Sequence, residues 1–303
     1  MARTSTSATA TPLRRALLDL VEPLLVRLVE RAGSRDGAMH SARKAWEAIA
    51  SGNYRKALHC ARIAIAHDRT WAGGYRMLAL AYRRQGDVER ARAAYARGTA
   101  ADPENVALAM DFANLEDELG EHAAAAARFR RVAESGAPAA ERGEAGLRLG
   151  LALYNQGRLD DAVAALRRAR LDAPRDAAIA RALGETLMHM GRSEDALPPL
   201  REALALEPTS ASVVYDVALA HAGLGAWQEA EVYARRALEL DAGDARARHL
   251  LSTLDWTSGG PAQAAGTPLA LWMNDEKRSI EDVQIDVRLA GEPSASQRRA
   301  VEA

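Results

Sequence analysis

The groups through which this chain could do chemistry are seven histidines, one cysteine, and 40 basic and 41 acidic side chains spread over 303 residues. A zinc hydrolase needs two histidines four apart on one helical face with a glutamate between them, or a mixed cysteine and histidine set. His40, His59, His67, His122, His189, His221 and His249 form neither pattern. Cys60 is alone, so an intramolecular disulfide and a cysteine-based zinc site are both ruled out. It stands among alanines and isoleucines, the setting of a buried, inert thiol. No glycine-rich loop of the G-x-x-x-x-G-K-[ST] type is present to cradle a phosphate, and no G-x-S-x-G turn to expose a nucleophile. The expectation is therefore no catalytic residue, no metal and no cofactor. A formal charge of −1 argues against general affinity for nucleic acid or an anionic membrane surface, because neither sign dominates.

What the chain has in place of a catalytic motif is a periodic frame. Gly52, Gly86, Gly120, Gly157, Gly191 and Gly225 are separated by 34, 34, 37, 34 and 34 residues. Five residues after each glycine stands an alanine: Ala57, Ala91, Ala125, Ala162, Ala196 and Ala230. Seven before each stands another small residue: Ala45, Ala79, Ala113, Gly150, Gly184 and Ala218. A period near 34 means stacked supersecondary units, none of which can bury its apolar face alone. Two antiparallel helices joined by a short turn approach closely only where their crossing carries little bulk, which the two small positions provide. The glycine fits just past the first helix, where a left-handed backbone ends it. Asn53, Asp87, and Asp160 or Ser193 are the expected caps of the following helices. Leu78, Phe112, Leu149, Leu183 and Val217 on first helices, and Tyr95, Phe129, Leu166 and Leu200 on second ones, would fill the gaps between copies.

This frame of small residue, glycine, alanine, aromatic or leucine, and closing proline (Pro103, Pro174, Pro208) resembles the tetratricopeptide repeat family over residues 38–242. The first copy matches least, with Ser41 and Lys44 where large apolar residues are expected. The extra residues around Ser135 to Arg142 should lengthen one connection. Asp244 to Trp256 reads as a capping helix over copy six, with Ala247, Leu250, Leu251 and Leu254 on one side. The resemblance implies an all-α, right-handed superhelical solenoid of six helix-turn-helix repeats, with first helices lining a concave groove. The groove positions are then Arg76, Leu80, Arg83, Met110, Asn114, Asp117, Leu147, Leu151, Tyr154, Arg181, Glu185, Met188, Tyr215 and Leu219. Some members of the family clamp a C-terminal carboxylate with Lys and Asn. The matching places here hold Ala42, Trp46, Met77, Ala107 and Asp111, which speaks against such a clamp.

Outside the repeats, residues 1–12 are rich in Ser, Thr and Ala, the composition of a disordered end. Leu13 to Arg31 carries Leu13, Leu17, Leu20, Leu24 and Leu28 on one helical stripe, interrupted by Pro23. Its readings are a cap on the first repeat, a surface for self-association or a partner, or membrane contact. Charges interrupt every apolar core there, so neither a signal peptide nor a transmembrane span is expected. Residues 257–268 have the Gly, Pro and Ser content of a linker. Leu269 to Ala290 has Leu269, Leu271 and Trp272, then Val283, Ile285, Val287 and Leu289 in alternation. It is expected to dock on the array near copies five and six through Trp272, the alternative being an independent disordered tail.

Together these features describe a non-catalytic adaptor, cytoplasmic or peripheral to a membrane, that binds another protein, a peptide segment or its own C-terminal tail. A subunit of a membrane-associated assembly or secretion machine, or the regulatory subunit of an enzyme, are the alternatives.

Overall fold

The structure, a computed structural model, describes residues 33–258; the expected N-terminal stripe and docking segment lie outside them, as does the expected linker apart from Thr257 and Ser258, which instead end the last helix. Thirteen α-helices and no strand are present among the described residues. The helices are α1 (Arg35–Ala50), α2 (Tyr54–His67), α3 (Ala72–Arg84), α4 (Val88–Ala101), α5 (Val106–Glu118), α6 (His122–Ala133), α7 (Ala139–Asn155), α8 (Leu159–Asp172), α9 (Ala177–His189), α10 (Ser193–Leu206), α11 (Ala211–Gly223), α12 (Trp227–Leu240) and α13 (Ala245–Ser258). They divide into two compact units, one ending at Leu115 and the other beginning at Glu116.

The repeated glycine does one job at all six turns. Its φ lies between +71° and +78° each time, the left-handed region where a Cβ is disfavoured. The N–H of the next residue then donates back to the carbonyl five positions earlier: Asn53 to Ala48, Asp87 to Tyr82, Glu121 to Glu116, Arg158 to Leu153, Arg192 to Leu187 and Ala226 to His221. That bond, with glycine at the residue after the helix end, is the Schellman closure. The same donor residue is the N-cap of the second helix, so the turn holds no spare residue. Asn53 and Asp87 cap with their side chains, accepting from the N–H of Lys56 and Arg90. The expected caps Asp160 and Ser193 are instead inside the first turn. Arg158 and Arg192 hold the cap position and pair with Asp161 and Asp195, placing acid near the positive helix end.

Between repeats the chain turns on four residues closed by an N–H to carbonyl bond at Asp102 to Asn105, Ala173 to Asp176, Glu207 to Ser210 and Asp241 to Asp244. Pro103, Pro174 and Pro208 occupy the second place of three of these, where a fixed φ suits the turn. The extra residues before copy four do not simply lengthen a loop. They extend α7 by about a turn, to 17 residues against 13 in α3, α9 and α11.

All six repeat alanines are 0% exposed. In copies four and five the partner position is glycine for a measurable reason. A Cβ on Gly150 would lie 2.5 Å from Leu166 Cγ, and one on Gly184 2.4 Å from Leu200 Cγ. Leu166 and Leu200 are themselves fully buried. In the first unit Tyr95 takes the corresponding place and stacks on Phe112, ring centroids 5.3 Å apart. At the end of the array α11 is buried without a break from Val213 to Ala222, the pattern of a helix packed on all sides. α13 packs against α11 and α12, with Ala247, Leu250 and Leu254 in the same core. The Asp244 carboxylate accepts from the N–H of Arg246 and Ala247 and starts that helix.

Candidate interaction groove

In the second unit the first helices of neighbouring copies pack on one another, α7 on α9 and α9 on α11. They form its inner face. In the first unit α1 packs on α3 in the same way. Of the fourteen expected groove residues, eleven are half-buried and so present part of their surface. Met188, Tyr215 and Leu219 are buried, at 3%, 1% and 6% exposure: Met188 lies in the core cluster, Tyr215 and Leu219 are on the enclosed α11, and the Arg246 guanidinium lies over the Tyr215 ring at 4.7 Å. These three belong to the core.

In the first unit Arg76, Leu80 and Arg83 recur at i, i+4 and i+7 along α3. Arg76 Nε donates to Asp111 Oδ2 at 2.5 Å, and both side chains are 17% exposed. Burial alone would lower the arginine's proton affinity, but the Asp111 charge and hydrogen bond outweigh it and raise it. The phenol of Tyr95 is pushed well above its ordinary range by burial and then by the same carboxylate. Asp111 is one of the places a carboxylate clamp would use, and here it is taken by Arg76. Ala42 and Met77, two others, are buried.

The second unit repeats the device and enlarges it. Arg181 Nε donates to Asp216 Oδ2 at 2.5 Å, while its Nη2 lies 2.6 Å from Glu185 Oε1. Two carboxylates thus share one guanidinium, with Arg246 and its partner Asp244 close by. Desolvation, then the Asp216 charge, push Glu185 up to about 8, against the opposing pull of Arg181. Its side chain is still 34% exposed. Both facts hold for a group crowded by protein on most sides and touched by water on one. Burial also acts to raise Asp244, but Arg246 and the N–H donors of α13 hold it below the ordinary carboxylate range.

Beside this network Leu147, Leu151 and Tyr154 follow one another at i, i+4 and i+7 on α7, all half-buried. The Tyr154 ring meets His189 edge to face at 5.2 Å. Asp117, also expected in the groove, is held by His122 at 2.7 Å. Reading the sequence position by position missed Asp216, Arg246 and Asp244. A signal existed for the first: Arg76 and Asp111 are 35 residues apart, as are Arg181 and Asp216, and the second pair follows the first by 105. Each joins an arginine ten before one repeat glycine to an aspartate nine before the next.

Cys60 is buried, and desolvation raises its thiol. Among the described residues no three His, Cys, Asp or Glu side chains converge as a metal site requires.

A family model described as tetratricopeptide repeat matches five overlapping windows, 43–106, 76–141, 110–177, 147–211 and 181–245. No curated protein matches the chain. Among solved structures it is similar to MamA, with 25% identity, a TM-score of 0.50, 56% of this chain and 97% of that one covered. It is also similar to the Pseudomonas aeruginosa protein pilF (15% identity, TM-score 0.61, 72% and 99% covered). A third is YrrB, described as a TPR protein with an unusual peptide-binding site (20% identity, TM-score 0.53, 61% and 94% covered). The last two share the fold alone.

Proposed function

The chain belongs to the tetratricopeptide repeat family, and from that premise we propose that it is a non-catalytic adaptor whose first-helix face takes a segment of another protein. One observation carries this reading. The groove's strongest charges are already neutralised inside the molecule, Arg76 by Asp111 and Arg181 by Asp216, while Leu147, Leu151 and Tyr154 stay half-exposed in a row. A surface built this way selects by apolar fit and shape. An amphipathic helix, or an extended chain with apolar residues at every second place, supplies that fit. Charges on the rim then affect the rate and register of docking more than its strength.

No described helix is long and apolar enough to cross a membrane. The test uses the full chain against a random peptide library displayed on phage, with the dissociation constants of selected peptides measured by fluorescence anisotropy. Leu151→Asp should weaken the selected peptides at least tenfold, about 1.4 kcal/mol, while the thermal melt stays where it was. Peptides that bind Leu151→Asp as tightly as the parent would move the function off this face.

A further inference from the structure

Two clefts open on the opposite, outer side of the second unit, between consecutive second helices. The first, about 500 Å3, lies among α6, α7 and α8, with Leu149 and Leu153 in its floor and Arg130, Arg168 and Asp172 in its walls. The second, about 510 Å3, lies among α8, α9 and α10, with Leu183, Leu187 and Pro199 in its floor and Arg167, Arg168 and Leu171 around it. Arg168 borders both, so they form one track.

Five features of this track point to a ligand. Leu171 is 77% exposed. Pro198 and Pro199 sit inside α10, where each removes a helical hydrogen bond; they leave a stiff apolar wall. The track's aspartates are engaged, Asp161 by Arg158, Asp195 by Arg192 and Asp172 by Arg142. Arg130 and Arg167, ten residues after Gly120 and Gly157, form no ion pair among the described residues. Finally, Asp172 is 8% exposed, and its Oδ2, with Arg168 Nε no nearer than 3.9 Å, accepts no hydrogen bond.

The matching ligand is an extended chain with carboxylates for the free guanidinium groups, apolar side chains on alternate residues for the floor, and backbone N–H groups for Asp172. We propose that it is this chain's own segment 280–289, Ile-Glu-Asp-Val-Gln-Ile-Asp-Val-Arg-Leu. Val283, Ile285, Val287 and Leu289 alternate there with Asp282 and Asp286, and three acids face one arginine. The segment starts 22 residues after Ser258, the end of α13. A flexible connection of that length spans roughly 25 Å as a coil, comparable to two or three helix-packing distances of about 8–10 Å.

Hydrogen exchange on the full chain tests this, read at residues 280–289 by mass spectrometry. Exchange there should be at least about tenfold slower than in a free peptide of the same sequence. Arg167→Glu with Arg168→Glu should abolish the protection. Adding Asp282→Arg and Asp286→Arg to that variant should restore it, which separates lost complementarity from lost folding. Free-peptide exchange in the parent chain overturns the proposal. So does protection that charge reversal leaves unchanged, since the segment would then be seated elsewhere, the inner face included.

Discussion

Gly184→Ala puts the packing argument at greatest risk, because helix propensity and crowding act in opposite directions. In the middle of α9 the substitution gains about 0.5–1 kcal/mol from reduced backbone entropy. Against this, the new Cβ would stand 2.4 Å from Leu200 Cγ, 2.5 Å from its Cδ2 and 3.3 Å from the Ala196 carbonyl oxygen. Leu200 is 0% exposed, so it cannot swing into solvent, and α9 and α10 must separate or Leu200 must leave its rotamer. Overpacking of this kind costs about 1–3 kcal/mol. The balance is a loss of roughly 1–2 kcal/mol, and a melting temperature lower by about 2–8 °C. Thermal and guanidinium unfolding of the full chain measure it. The decisive arm is the same substitution on Leu200→Ala. That background is less stable by about 2–5 kcal/mol, but the side-chain atoms the new methyl would strike are gone, so adding it should now stabilise by about 0.5–1 kcal/mol. A gain in both backgrounds would show that helix propensity decides alone and that Leu200 does not set the helix spacing.

Three further outcomes are expected from the same structure. Ala162→Leu and Ala196→Leu should each lower stability by about 1–3 kcal/mol; unchanged melting midpoints for both would mean the helices cross elsewhere. Gly52→Ala meets nothing within 4 Å but must hold φ at +71°, so its cost should be about 1 kcal/mol from backbone conformation alone, with no rescue by trimming any neighbour. Glu185 keeps its proton up to about 8 in the folded chain and loses it near the ordinary glutamate value when unfolded. Folding therefore takes up a proton between those two points, and stability should fall as pH rises through that window and level off above it. Glu185→Gln, which cannot ionise, should flatten this segment of the curve in chemical unfolding at a series of pH values; an identical slope in both proteins would remove Glu185 from the account.

The fold was legible because its determinants are small residues at fixed spacing. Six glycines in phase require six left-handed turns, and alanines five places later mark the crossing of each pair without reference to anything distant. The end of each turn was less legible. Asp160 and Ser193 look like caps because capping residues are polar and short, yet the Schellman closure makes the residue directly after glycine the cap whatever its type, so Arg158 and Arg192 occupy it. The groove was legible only in outline. The family resemblance places Tyr215 and Leu219 in the same groove as Leu151, but whether those positions are open depends on the element packed against them, and α13 with Arg246 closes this end. The extra residues before copy four show the same limit: their number is plain in the sequence, while their use as an added turn of α7 depends on packing against its neighbours.

The ion pairs between repeats tie recognition to stability. In most surface arrangements an arginine and an aspartate on different elements contribute little, because water screens them and two long side chains must be ordered. Arg76 with Asp111, and Arg181 with Asp216, differ in being shielded, at 17% exposure for both of the first pair and 5% for Asp216, and in joining a helix of one copy to a helix of the next. Each is therefore a clasp between neighbouring repeats as well as part of the proposed groove. Removing one partner would leave a buried charge behind, the costly case, so the groove's charges are constrained by the packing of the array. Under the proposed function, variation in what this face binds comes from side chains the clasps do not hold. Leu147, Leu151 and Tyr154 are such a set, on the helix packed beside that of Arg181, and they are where a change of partner could occur without a change of fold.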